Sequence, residues 1–287
     1  MEERRPLVSF ILTYYNQPVQ MLCKCIDSIL TLSLTSDERE IIVVDDGSRT
    51  SPMNGLMHYG DEIIYVRQKN GGLSVARNKG IEMVIFDFTN DDSHQTAFND
   101  KPLMSGTEYM LRYNIRGTAW GYLFRRKTLS ELRFTPGIYH EDEEFTPQLL
   151  IRAEQVYVTD AKAYYYYKHP GTITTHADES SKDKRLSDIR GVLSRLHYLC
   201  DRIPPNDRLA MQRRVAQLTM DYIYQVILQK RSLQVLNDNL ETLRQEGLFP
   251  LPDRDYSQKY KWFRLMLNTS IGRTMLFHTL PLLKKER

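Results

Sequence analysis

The chain has 287 residues, 41% hydrophobic and 26% charged, which is the balance of a soluble globular protein and not of a disordered or fibrous one. Its formal charge of +3 is too small to mark the whole protein as a nucleic-acid binder. No run reaches the roughly 18 apolar residues of a membrane-spanning helix, and MEERRPLVSF enters a strand without an apolar signal region, so a cytoplasmic location is expected.

Residues 7–12, LVSFIL, predict a short strand buried on both faces. TYYNQP follows, with Asn16 and Pro18 as turn and helix-start signals. Met21, Leu22, Cys25, Ile26, Ile29 and Leu30 then recur at helical spacing and form one apolar stripe. Cys23 and Cys25 fall in this segment; with Cys200 they make an odd set without a metal-type repeat, expected as free thiols, the first two buried, in a reducing compartment. EIIVVDDGS is a second strand running into Asp45, Asp46, Gly47 and Ser48. Strand, helix and strand within about 40 residues imply a right-handed parallel βαβ unit. EIIYVRQ at 62–68 predicts a third strand, NGGLSVARNKGIEM a glycine turn opening a helix, and VIFDF another strand.

Further on, GTAWGYLFRR and VYVTDAKAYYYYKH predict strands, the tyrosine run with alternate rings buried. EDEEFTPQLLIRAEQ predicts a helix with acidic residues in its first turn. From about residue 183 the chain reads as helical, with helices expected near 184–201, 207–230 and 232–246 and a proline-containing linker, LFPLPDRD. There is no internal repeat and no low-complexity tract.

Ligands of parallel α/β sheets bind beyond the carboxyl ends of the strands. Thr13, Tyr14, Tyr15 and Asn16 after the first strand therefore share a crevice with Asp45, Asp46, Gly47 and Ser48 after the second. A planar ring beside a carboxylate suits a nucleobase: the ring stacks and the carboxylate accepts an imino hydrogen bond. Tyr-Tyr-Asn in place of a glycine-rich turn argues against a dinucleotide or P-loop site, and against a Rossmann-like methyltransferase. Taken alone, Asp-Asp-Gly-Ser is also an ordinary turn. Gly71 and Gly72 allow close backbone approach, and Arg77 and Lys79 bring positive charge near a helix start, a setting that attracts a diphosphate. In YHEDEEF, four adjacent acids either favour a helix N-terminus or hold a general base ready by raising one another's pKa.

These motifs run in order from Pro6 to Met83 and resume through TAWGYLFRR, YHEDEEF and GTITTH. Together they resemble the family 2 glycosyltransferases, nucleotide-sugar enzymes with a GT-A fold. The resemblance implies an α/β GT-A domain over residues 1–180, a mixed sheet flanked by helices, followed by a small helical region over 181–287 with a basic amphipathic tail. It implies an inverting transfer from a nucleotide-diphosphate sugar, a UDP-sugar first, to a saccharide or lipid-linked acceptor in surface polysaccharide synthesis. By the same resemblance Tyr15 stacks on the base, Asp46 binds its edge with Asp45 and Asn16 close by, and Arg77 lies near the diphosphate. Thr13 stands where the family often has proline. Glu141-Asp142 matches the family's acidic pair, with Asp142 as the base, while Glu143 and Glu144 are expected in solvent. Trp120 and Gly121 would line the acceptor side, although a lone Trp is also most often a core anchor. His140 and His176 have no ligand spacing and are expected to be structural.

Family members follow the ARNKG helix with a strand ending in Asp-x-Asp, which holds Mg²⁺ or Mn²⁺ against the diphosphate. Here GIEM joins VIFDFTNDD directly, and VIFDF is similar to a later strand of the family. One account is that a segment of roughly 35 residues is absent between Met83 and Val84, the length of a strand, a helix and their connections. Another is a shortened strand with Asp87, Asp91 or Asp92 as metal ligands. The literal Asp253-Arg254-Asp255 lies in the distal linker and is read as coincidence. An absent segment would favour a second function class, a catalytically impaired nucleotide-binding relative or assembly partner.

Residues 259–287 carry seven Lys or Arg against one Glu, together with Trp262, Phe263, Leu265, Met266, Leu267, Met275, Leu276 and Phe277. Such a tail either lies on an anionic inner membrane surface or packs on the domain with its basic side chains snorkelling to water.

Overall fold

The structure is a computed structural model that describes residues 8–67, 84–90, 99, 101, 102, 104–166 and 178–283. The chain divides into two compact units, one of residues 1–105 and 118–167, the other of residues 106–117 and 168–287.

Four branched residues, Ile41 to Val44, set the centre of the first unit. They belong to β2 (Arg39–Asp45), which pairs in parallel with β1 (Val8–Tyr14) on one side and β3 (Ile64–Arg67) on the other. A strand covered on both faces needs no polar alternation, and all four side chains are buried. Ile41 and Val43 face α1 (Val19–Leu30), in one core with its Leu22, Ile26 and Ile29 and with Leu56 and Tyr59. Ile42 and Val44 point the other way, against Ile11 and Val66. Each such side chain contributes about 1.5–3 kcal/mol by leaving water. Tyr59 closes the connection to β3 by donating to the Cys23 carbonyl at 3.0 Å and to Asp27 at 2.8 Å.

Two expectations change here. β1 is half-buried up to Tyr14 and not fully buried: Phe10 and Leu12 pack on the α1 side and Ile11 on the other, but β1 is the end strand of the described sheet, with β2 on one edge alone. Cys23 and Cys25 are half-buried at the margins of the α1 stripe. All three thiols are free, and the buried one is Cys200, whose pKa burial pushes up to about 11.

A second, two-stranded parallel sheet joins β4 (Ile85–Thr89) to β5 (Val158–Tyr165). The strand expected over GTAWGYLFRR reduces to one antiparallel bridge, Ile85 with Tyr122, beside a 3.2 Å hydrogen bond from the Phe86 N–H to the Gly121 carbonyl. Glycines at 117 and 121 weaken a longer ladder. Helix α2 (Gly106–Arg112) belongs to the second unit, whereas α3 (Glu141–Leu150) belongs to the first. Phe145 and Leu149 of α3 pack with Phe124, Leu129, Leu132 and Phe134, and the rings of Phe134 and Phe145 stack at 3.8 Å.

The second unit adds α4 (Glu179–Cys200), α5 (Pro205–Lys230), α6 (Leu233–Gln245), α7 (Gln258–Leu267) and α8 (Ser270–Leu283). α4 begins before residue 184 because Asp178 caps it, accepting the Ser181 N–H at 2.8 Å. α5 begins at the second proline of IPPND, where the missing N–H costs nothing. Ser232 and Ser257 cap α6 and α7 through the N–H groups of Val235 and Tyr260. In the linker, Asp255 pairs with Lys261 at 3.0 Å and Asp253 with Arg264, so both acids of the Asp-x-Asp sequence are tied to α7.

Candidate active site

Parallel register brings three chain ends to one edge. Tyr14 of β1 lies beside Asp45 of β2, and Asp45 beside Arg67 of β3. Asp45 is fully buried. Burial alone raises a carboxylate's pKa, but here it is outweighed. Ser48 gives its N–H to Oδ1 at 2.8 Å, the Tyr65 hydroxyl donates to Oδ2 at 2.7 Å, and the Arg67 Nε lies 3.6 Å from Oδ2. Together they hold the group below the usual carboxylate range. Arg67 also donates to the Ser48 carbonyl at 2.6 Å, so the turn and the third strand close on each other. The Tyr65 phenol is pushed up by burial and by its bond to Asp45.

A second set of bonds ties the turns after β1 and β2 together. Asn16 has a left-handed backbone (φ 57°), which asparagine tolerates better than most residues. Its N–H donates to the Ser48 Oγ at 3.0 Å, and its Oδ1 accepts the Arg49 N–H at 2.8 Å. The Asp46 N–H donates to the Tyr14 carbonyl at 2.9 Å, and Gly47 takes φ 75° at the corner. Of the two tyrosines, Tyr14 is buried with its hydroxyl on the Gln17 carbonyl at 2.7 Å, and Tyr15 is 47% exposed. Thr13 is half-buried and in register with Val44. Thr13, Tyr15, Asn16, Asp45 and Asp46 are therefore gathered at one sheet edge, while Arg77 lies outside the described residues. Ser48 is expected in this crevice from the sequence, whereas Tyr65 and Arg67 are not singled out there. The signal was available for the last two, since a third parallel strand delivers its carboxyl end to the same edge.

The acidic run opens α3. His140 precedes it in a left-handed conformation (φ 64°). The Asp142 Oδ1 accepts the Glu143 N–H at 2.9 Å, a first-turn donor that also reaches the His140 carbonyl at 3.1 Å. Glu141 and Glu144 are buried. Glu144 was expected in solvent; instead it accepts the Thr135 hydroxyl at 2.9 Å, because the loop before the helix folds back over it. Glu143 is half-buried.

Trp120 stacks on Tyr164 at 4.8 Å and 15°, meets the edge of Phe88 at 5.0 Å, and lies 5.4 Å from Tyr166. Its neighbours Ala119 and Tyr122 pack on the Phe124–Phe145 core beneath α3. Trp120 is thus an anchor between β4–β5 and that core, and it stays half-exposed. A Cβ added at Gly121 would meet the Thr118 Oγ1 at 2.8 Å.

Among the described residues no group of three His, Cys, Asp or Glu assembles as a metal site. Asp87 lies in β4 opposite Lys162 and accepts its neighbour Phe88's N–H at 2.9 Å, a local bond and not a ligand geometry. Asp91, Asp92 and His176 lie outside the described residues.

The Glycosyl transferase family 2 profile matches residues 9–88. YibD of Escherichia coli (strain K12), described as an uncharacterised glycosyltransferase, is 22% identical over 212 residues, which cover 55% of this chain and 61% of YibD. The chain spans between 23% and 61% of the length of four curated relatives, YibD among them. Among solved structures, the 1–349 fragment of S. aureus TarS in complex with UDP-GlcNAc superposes with a TM-score of 0.66 at 15% identity, over 97% of this chain and 91% of that one. The mannosyltransferase PcManGT of Pyrobaculum calidifontis, in complex with GDP-Man and Mn²⁺, gives 0.51 at 13% identity, over 98% and 87%. These likenesses give the chain a GT-A fold.

Proposed function

We infer, for a chain whose residues 9–88 match the Glycosyl transferase family 2 profile, a glycosyltransferase that moves a sugar from a nucleotide-diphosphate donor to a saccharide or lipid-linked acceptor. The observation that carries this reading is the strand-end edge itself, where Tyr15, Asp46 and the Asp45–Tyr65–Arg67 network stand side by side within the matched segment. In this reading the exposed Tyr15 ring stacks on the base and Asp46 accepts from its edge. Asp45 does not meet the ligand; its two oxygens keep the turn in shape. Arg77 serves the diphosphate, and Trp120 with Gly121 faces the acceptor.

Asp142 is the proposed base, with Glu141 beside it. It takes the proton of the acceptor hydroxyl as that oxygen bonds to the anomeric carbon. The bond from that carbon to the diphosphate oxygen breaks on the opposite face, so the configuration inverts and the nucleoside diphosphate leaves. The donor is a UDP-sugar in this reading, supported by the UDP-GlcNAc of the TarS complex. A divalent cation, Mn²⁺ or Mg²⁺, belongs to it as well, supported by the Mn²⁺ of the PcManGT complex, and would neutralise charge on the diphosphate. Among the described residues no three His, Cys, Asp or Glu side chains come together as a ligand set for it. Residues 1–180 would carry the donor chemistry and 181–287 the helical region, in surface polysaccharide synthesis at the inner face of a membrane.

Calorimetry with UDP and donor turnover across a sugar panel test the reading. UDP binding with turnover that disappears in Asp142→Asn is the expected result. Failure to bind any nucleoside diphosphate overturns the site, and binding without turnover of any donor overturns the enzyme.

A further inference from the structure

α8 is largely apolar, with Ile271, Met275, Leu276, Phe277, Leu280 and Leu282 against Ser270, Arg273, Thr274, His278 and Thr279. An apolar surface of that extent is usually covered. The structure uses only part of it for packing. Leu276 is buried, and Gly272 approaches α7 so closely that a Cβ there would meet the Met266 carbonyl oxygen. On another side Ile271, Met275 and Leu282 are 77%, 53% and 65% exposed. With His278 they stand at i, i+4, i+7 and i+11, one stripe along the helix. α7 repeats the pattern: Tyr260, Phe263 and Leu267 are buried, while Trp262 (65% exposed) and Leu265 face outward, flanked by Lys259 and Lys261.

Length and charge say what covers this surface. At 14 residues α8 is about 21 Å long, short of the roughly 30 Å of a bilayer core, so it does not span one. Residues 256–285 contain six Lys or Arg and no Asp or Glu. Lys259 and Lys261 pair with Asp221 and Asp255 at the surface, and such pairs are weak enough to exchange for lipid phosphates, whereas the buried Arg264 stays with Asp253. A second copy seated on the same face by a two-fold axis would bring like charges together. An anionic lipid surface instead offers apolar depth for the stripe and negative headgroups for its rim.

We propose that α7 and α8 form a peripheral docking surface for anionic membrane, with Ile271, Met275 and Leu282 entering the acyl boundary and Trp262 at the headgroup level. It stands apart from sugar transfer: it is read without a donor, and donor binding is read without lipid, so either fails separately. The experiment is co-sedimentation of the full chain with vesicles of phosphatidylcholine alone and of phosphatidylcholine with phosphatidylglycerol, alongside tryptophan emission. Binding to the anionic vesicles, weakened by salt, is expected, with a blue shift absent from Trp262→Phe. The triple variant Ile271→Ser, Met275→Ser and Leu282→Ser should bind at least tenfold more weakly while its helical circular dichroism and melting stay unchanged, since all three side chains face outward. No binding to anionic vesicles, or equal binding by the triple variant, overturns the proposal. So does a dimer in solution that the triple variant dissolves, which would assign the stripe to a second copy.

Discussion

Both units bury charge, but they tie it down differently. In the first, the fully buried Asp45 is held by a turn N–H, a phenol and a guanidinium that all converge at the end of a sheet. In the second, Arg213 and Arg214 of α5 are buried against main-chain carbonyls. Arg213 donates to Met110 at 2.6 Å, to the Asn114 Oδ1 at 2.9 Å and to Tyr256 at 3.3 Å, and Arg214 donates to Ile115 at 3.0 Å. The guanidiniums satisfy carbonyls at and beyond the end of α2, where a helix leaves acceptors open, so they hold one segment of scaffold to another. The Asp45 network instead holds a turn whose next residue, the buried Asp46, stands at the strand-end edge. A buried charge that consumes backbone acceptors holds scaffold together, and one that shapes a turn fixes where the neighbouring Tyr15 and Asp46 stand.

The largest expected effect tests the chemistry with the scaffold left alone. Asp142→Asn should lower turnover by about 10²–10⁴-fold, the usual worth of a general base, with UDP affinity unchanged by calorimetry. A variant with full turnover would remove Asp142 from the reaction and leave it as a first-turn donor's partner. Next comes the scaffold. Arg213→Ala strands the Met110 and Tyr256 carbonyls and should cost about 3 kcal/mol, a fall in melting temperature of about 10 °C. The folded fraction should bind UDP as the wild type does. Loss of affinity in protein that is still folded would break the division between the two charge clusters.

Much of the first unit is legible in the chain because its signals are local. Ile41 to Val44 followed by Asp-Asp-Gly-Ser states a buried strand and its turn within eight residues. What local pattern does not state is who the partners are. LVSFIL looks the same whether one or two strands flank it, so the half-exposure of β1 could not be read from it. Asp45 and Asp46 are equivalent as letters, and it is Tyr65 and Arg67, some twenty residues on, that join Ser48 in making the first a structural anchor. Glu144 sits in a run of acids that suits a helix start, yet Thr135 from the preceding loop draws it inside. The starts of α4 and α5 were misplaced because Asp178 and Pro205 look like linker residues until their capping roles are seen.

Asp46→Asn sharpens the comparison within the turn. Exchanging a charged acceptor for an amide of the same shape should weaken UDP binding about 10–100-fold, the worth of a hydrogen bond to a charged group, read by calorimetry. An unchanged affinity would take Asp46 out of the binding edge.

The smallest effect separates the two clusters by pH. Asp45 has a folded pKa below its unfolded value of about 3.9, so its stabilisation is fully present above that value and is lost as pH falls through the folded pKa. At about pH 7, Asp45→Asn should cost about 1–2 kcal/mol in urea unfolding, because an amide cannot accept from Ser48, Tyr65 and Arg67 together. The difference from wild type should stay flat between about pH 5 and 8 and shrink below about pH 4, as the wild-type carboxylate takes up its own proton. The Arg213→Ala difference should hold constant over the same range, since a guanidinium bound to carbonyls keeps its proton throughout. A constant Asp45 difference in acid would mean that the neutral carboxyl serves the turn as well as the carboxylate, and that the ion pair with Arg67 adds nothing to it.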